Sequence, residues 1–227
     1  MAGLTLAMDA AAGDGTVAVL RDGLVLAECS VLLRSADDER FLPAVLATLA
    51  DAGGTPRDLS RIVCGEGPGS FTALRVVGAV AKGLAFGLDV PLFALPSLAL
   101  IVAASEATHA ADGRWLAILD ALRGDRYLAL VTVGGVGAIV SVESLGLVAA
   151  SEVAARASSL GAQVIGPGAA VEASPHARGV ARCSALIDAI GPVALDGWEP
   201  RYGRLAEAQV KWEAAAGRPL SDERGGR

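Results

Sequence analysis

The residue types best suited to chemistry sit in one stretch, Gly65-Glu66-Gly67-Pro68-Gly69-Ser70-Phe71-Thr72-Ala73-Leu74-Arg75, where a short apolar run ends and a long one begins. A glycine-rich turn entering a helix offers backbone N–H groups to an anion. A Walker loop also needs a Lys directly before its Ser or Thr, and here Phe71 separates Ser70 from Thr72 with no Lys nearby. Glu66 would repel phosphate, and the spacing of Gly65, Gly67 and Gly69 misses the dinucleotide fingerprint. Ser70 lacks the glycines two positions before and after it that a nucleophile elbow requires. A sharp turn at Gly67-Pro68-Gly69, with Ser70 capping the next helix, explains these residues without any ligand.

Asp9 and Asp120 each close a strand-like run at comparable places, so they are the carboxylates that could hold magnesium for phosphoryl transfer. Ala10-Ala11-Ala12 supply none of the hydroxyls such a site would use. His109 and His176 stand alone in polar connecting stretches and read as surface residues without a second metal ligand. Cys29, Cys64 and Cys183 are widely spaced; the first two lie in apolar strand-like runs and read as small buried hydrophobes in a reducing cytoplasm.

The elements that must position these groups follow from periodicity. Leu4 to Asp9, Thr16 to Leu20 and Val25 to Leu33 form an antiparallel meander through Gly13-Asp14-Gly15 and the hairpin signal Asp22-Gly23. Ser35 and Asp38 resemble a capping box for a helix from Asp37 to Ala52, in which Phe41, Leu42, Val45, Leu46 and Leu49 recur at helical spacing. Arg61 to Gly65 is a strand, Ser70 to Leu88 a helix, Pro91 to Leu95 a strand and Ser97 to Ser105 a helix. The second half repeats this more weakly, with strands at Trp115 to Ala121, Arg126 to Val133, Ala138 to Val142 and Gln163 to Ile165, and helices at Ser151 to Leu160 and Ser184 to Ile190. The order implies an α/β protein with mixed sheets, divided into subdomains at 1–105 and 106–217 with a polar, disordered tail at 218–227.

The helix from Ser70 to Leu88 is apolar nearly all round. Phe71, Leu74, Val77, Ala81, Leu84 and Leu88 define one face, and Val76, Ala79, Val80 and Gly83 occupy the other. Such a helix must be covered on both sides. The second cover is either another helix of the chain or a protein partner, and the small residues Gly78, Ala79 and Gly83 would admit either closely.

The chain has 227 residues, of which 53% are hydrophobic but only 4% aromatic, so its core is packed from Ala, Val, Leu and Ile. A net charge of −6 gives a phosphate backbone no general attraction, which argues against autonomous nucleic-acid binding. The opening Leu4-Thr5-Leu6-Ala7-Met8 reads as a strand rather than a signal peptide, and charges and glycines cut the apolar runs below membrane-spanning length.

Gly67 to Arg75, followed by Ala81-Lys82-Gly83-Leu84-Ala85, closely resembles the signature of the TsaB family, also called YeaZ. Phe41-Leu42-Pro43, Pro91 to Leu98, Asp120 to Tyr127 and Pro200-Arg201-Tyr202-Gly203-Arg204 are similar to family elements in the expected order. The chain departs from the family pattern at Ala10-Ala11, at Ala73 and at Asp37-Asp38-Glu39, where Thr-Ser, Gly and often His are usual.

The resemblance implies an actin-like fold, of the sugar-kinase and Hsp70 kind, built from two related subdomains. It further implies a non-catalytic subunit in threonylcarbamoyl modification of the tRNA adenosine next to the anticodon, which binds a TsaD-type transferase, works with a TsaE-type ATPase and forms homodimers when alone. No cofactor is then expected on this chain; ATP and metal belong to the partners. The implied partner face comprises Phe41, Leu42, Val45, Leu49, Phe71, Arg75, Val76, Ala79, Val80 and Gly83, with Gly67, Pro68, Gly69 and Ser70 as a structural turn. The alternative is an active member of the fold class: a kinase, a metal-dependent transferase or a glycoprotease. The catalytic relatives carry a His pair on the first helix, and the stretch from Asp37 to Ala52 contains no His.

Overall fold

A computed structural model describes residues 3–33, 40–109, 112–135 and 137–203. The capping box at Ser35 and Asp38, the start of the first helix at Asp37, Arg204 and the tail at 218–227 lie outside the described residues. The first sheet has the order β3-β2-β1-β4-β5, formed by β1 (Leu4–Asp9), β2 (Asp14–Arg21), β3 (Leu24–Leu32), β4 (Leu59–Gly65) and β5 (Leu92–Leu95). Its meander is antiparallel, whereas β4 and β5 add in parallel beyond β1. Asp22 and Gly23 form the two-residue turn with φ of 52° and 79°, as the Asp-Gly signal predicts.

The second sheet, β8-β7-β6-β9, repeats that order one strand shorter, with β6 (Gly113–Asp120), β7 (Asp125–Gly134), β8 (Ala138–Ala149) and β9 (Gln163–Ile165). An antiparallel meander with a parallel strand on its first member occurs in both halves, which is the doubled actin-like topology. β8 runs well past the expected Val142, because its pairing with β7 continues through two register shifts to Ala149.

Among the described residues five α-helices cover the sheets: α1 (Phe41–Asp51), α2 (Phe71–Leu88), α3 (Ser97–Ala104), α4 (Val153–Leu160) and α5 (Ser184–Ile190). Alternation along the strands decides what each sheet face meets. Leu4, Leu6 and Met8 pack with Phe41, Val45, Leu49, Val77 and Ala81 beneath α1 and α2. The opposite face presents Ala7, whose cross-strand partner is Ala18, towards α3. The second sheet offers the matching pair Ala117 and Ala129 to the same core. These four small side chains let α3, buried at every residue, lie between the two sheets. Leu116, Ile118 and Leu128 pack with Val153 and Ala157 of α4 on the far side.

α2 is long and apolar enough to cross a bilayer by composition. In the fold its inner residues Ala73, Leu74, Val77, Gly78, Ala81 and Ala85 are buried on the protein. The chain after α5 does not stay with the second sheet. Val193 donates its N–H to the Leu92 carbonyl at 2.8 Å, and residues 193–202 then cross back over the first half.

Candidate partner-binding face

The turn between β4 and α2 lies at the carboxyl end of the sheet, where open α/β folds bind ligands. Here the inner side of the turn itself is taken up by the chain. A Cβ on Gly67, whose φ is +96°, would overlap the Arg201 carbonyl, and one on Gly69 would overlap the Ala11 backbone. The Ser70 N–H donates to the Ala11 carbonyl at 2.8 Å. Ser70 has an extended backbone at the head of α2, but its side chain makes no capping bond, contrary to the cap expected from its residue type. The turn thus receives the first loop and the returning C-terminal segment.

That segment is tied down along α2. Lys82 Nζ donates to the Trp198 carbonyl at 3.0 Å, and Pro200 lies over Gly78. The N–H of Arg201 donates to the Glu66 carbonyl at 2.6 Å, with its Nε 3.3 Å from Glu66 Oε2. Burial pushes the Glu66 carboxyl up, opposed by the Arg201 guanidinium. The Tyr202 ring sits 4.5 Å from that of Phe71, and the Arg75 guanidinium stacks over Phe71 at 4.2 Å. Tyr127 donates its hydroxyl to the Tyr202 carbonyl at 3.3 Å. The close approach at Gly78 is therefore made by the chain's own Pro200 and Trp198.

Asp9 and Asp120 do not converge. Asp9 lies two residues beyond Ala7 and so faces the central core, whereas Asp120 lies three beyond Ala117 and points to the other side of its sheet. Asp9 is buried; its Oδ1 accepts the Ala11 N–H at 2.9 Å and its Oδ2 the Ser97 hydroxyl. Burial raises its pKa to about 6, with both hydrogen bonds acting in the opposite direction. Asp120 is half exposed and paired with Arg126 at 2.6 Å. The arrangement offers no shared carboxylate site for magnesium.

Two burial readings also change, that of His176 as a surface residue and that of Cys29 as a buried one. His176 is largely covered: its Nδ1 accepts the Arg178 N–H at 3.1 Å, and burial lowers its pKa. Cys29 is only half-buried and accepts the Thr48 hydroxyl at 3.1 Å. Cys64 is sealed in the core, where desolvation drives its thiol far up.

Among the described residues the outer sides of α1 and α2 are left uncovered. Phe41, Val45 and Leu49 must be removed from the expected partner face, because all three are core residues packed on the first sheet. Leu42 is exposed, as are Arg75, Ala79 and Gly83, with Val76 and Val80 half-exposed between them. Phe71 is half-buried beneath Arg75 and Tyr202. The structure adds Leu46, 44% exposed, and Phe86, 82% exposed. Their offsets of four from Leu42 and seven from Ala79 are the helical signal that places them on the same sides. The docking of Tyr202 on Phe71 joins residues 131 apart and has no local signal.

The fold and this face define an actin-like α/β protein with a tightly packed turn at the head of α2 and an uncovered helical side. Residues 34–152, just over half of the chain, match the family model described as TsaD: tRNA N6-adenosine threonylcarbamoyltransferase. The chain is 39% identical over 125 residues to the tRNA threonylcarbamoyladenosine biosynthesis protein TsaB of Bacillus subtilis, covering 55% of this chain and 53% of that protein. It is 34% identical over 124 residues to TsaB of Escherichia coli, covering 55% and 53%. The chain spans about half the length of the curated relatives it matches. The solved structure of YeaZ from Pseudomonas aeruginosa superposes with a TM-score of 0.67 at 25% identity, over 88% of this chain and 99% of that one. The chain belongs to this threonylcarbamoyl family, among its TsaB (YeaZ) members.

Proposed function

We propose that the chain is a non-catalytic partner subunit in threonylcarbamoyl modification of tRNA adenosine, binding a related TsaD-type transferase through the outer sides of α1 and α2. The observation that carries this reading is the apolar character of those sides, where Leu42 and Leu46 of α1 and Phe86 of α2 are exposed and the small residues Ala79 and Gly83 leave room for a close approach. Patches of this kind mark protein interfaces. The family to which the chain belongs supplies the process, and the related transferase supplies a partner of matching fold. The same face serves a homodimer when the chain is alone, a TsaE-type ATPase joins the larger assembly, and the work is done in the cytoplasm.

The tight packing of the Gly67 to Gly69 turn supports a non-catalytic role, as do the different sheet faces from which Asp9 and Asp120 project. Among the described residues no three His, Cys, Asp or Glu side chains gather as metal ligands. ATP and metal are accordingly assigned to the partner subunits, and tRNA binding to the assembly rather than to this acidic chain. Reconstitution tests the proposal: the TsaD-type subunit of the same cell should co-purify with this chain, and tRNA threonylcarbamoylation should require both. Full modification without this chain would overturn it.

A further inference from the structure

Arg75 occupies an unusual place on the α2 face. Its guanidinium lies 4.2 Å from the Phe71 ring centroid and 5.7 Å from that of Tyr202, so two aromatic faces hold its plane. The two rings are themselves fixed against each other, and the Tyr202 backbone is anchored by Tyr127. Among the described residues the guanidinium has no carboxylate within ion-pair distance and no hydrogen-bond acceptor. The cation is therefore oriented but unanswered, next to Val76 and Ala79, in a chain whose net charge is −6.

We infer that Arg75 is the polar anchor of this face and that it receives a carboxylate from a helix of the partner subunit. This inference rests on the proposed partner role and adds the chemistry by which the partner is selected. An Arg stacked in this way spends less conformational freedom on binding than a free side chain, and its N–H fork matches a carboxylate in two parallel bonds. Val76 and Ala79 beside it, with Gly83 and Phe86 further along the same helix, suit the flank of a partner helix, and docking there removes water from around the guanidinium. A phosphate backbone would not match these apolar neighbours, and the overall negative charge opposes it.

The test compares Arg75→Met, which keeps length and apolar stacking but removes charge, with Arg75→Lys and with Gly83→Glu on the same face. Binding of each full-length variant to the purified TsaD-type subunit is measured by calorimetry at low and high salt, with folding checked by thermal melting. Arg75→Met should weaken binding by about 30-fold or more and flatten its salt dependence. Arg75→Lys should recover only part of that loss, because a point charge does not reproduce the fork. Loss of binding in Gly83→Glu with wild-type affinity in Arg75→Met overturns the anchor and leaves the partner role standing. Unchanged affinity in both overturns the anchor together with the reading on which it rests. Normal subunit binding in Arg75→Met with impaired tRNA retention by the assembled complex would reassign the cation to phosphate.

Discussion

Ser97 donates its hydroxyl hydrogen bond to Asp9 Oδ2 at 2.5 Å, joining the head of α3 to the end of β1 across 88 residues. The same Oγ accepts the N–H of Gly67 at 3.0 Å, and the Ser97 N–H donates to the Gly67 carbonyl. The carboxylate that most resembles a catalytic group from sequence thus pins the signature turn to the core.

The first prediction follows from the pKa of Asp9, raised from 3.8 to about 6 by burial. An acid with a raised folded pKa holds its proton in the folded state between those values, so its contribution to stability falls as pH rises through that window. The full change is on the order of 3 kcal/mol. Asp9→Asn carries no such titration. Urea unfolding at pH 4 and pH 7 should therefore show the variant gaining on the wild type by roughly that amount. A difference that is the same at both pH values contradicts the assignment.

Two glycines in neighbouring elements should respond to the same substitution with opposite signs. A Cβ on Gly69 would meet the Ala11 carbonyl oxygen at 2.2 Å and its Cα at 2.6 Å, whereas nothing lies within 4 Å of a Cβ on Gly83. Gly69→Ala should cost about 2 kcal/mol or more through displaced backbone. Gly83→Ala, exposed in mid-helix, should gain about 0.5 to 1 kcal/mol. Thermal melts of the two variants decide it, and equal shifts would count against the packing described for the turn.

The isolated chain should bind neither zinc nor iron stoichiometrically and should not hydrolyse ATP. Elemental analysis and phosphate release check both expectations. One bound metal equivalent, with activity lost on changing Asp9 or Asp120, would overturn the non-catalytic assignment.

Much of this architecture is legible in the sequence because local signals carry it. The Asp22-Gly23 turn and the apolar alternation of β1 and β2 identify the meander, and helical spacing finds α2 and α5 to within a residue. Sidedness is harder. Phe41, Val45 and Leu49 have the same apolar character as Leu42 and Leu46, and only the sheet beneath α1 decides which are core. A one-residue difference in offset separates the faces of Asp9 and Asp120, which no composition rule detects. The return of Pro200, Arg201 and Tyr202 onto α2 depends on contacts more than 100 residues apart, so the covering of Gly78 is invisible until the chain is folded.

The central claim, that the outer side of α2 is a partner surface, is tested most directly by the affinity of Ala79→Glu for the TsaD-type subunit. Ala79 is exposed in the free chain, so the variant should keep the wild-type circular dichroism spectrum and melt within about 0.5 kcal/mol of it. In the complex the introduced carboxylate would lie one turn from Arg75, where it would take up the cation offered to the partner, and its bulk would hold a partner helix away from Val76, Val80 and Gly83, at a cost of several kcal/mol. Light scattering and calorimetry should then find a folded monomer with no measurable binding of the transferase subunit. Wild-type affinity in a folded Ala79→Glu variant would contradict the account and place the interface elsewhere.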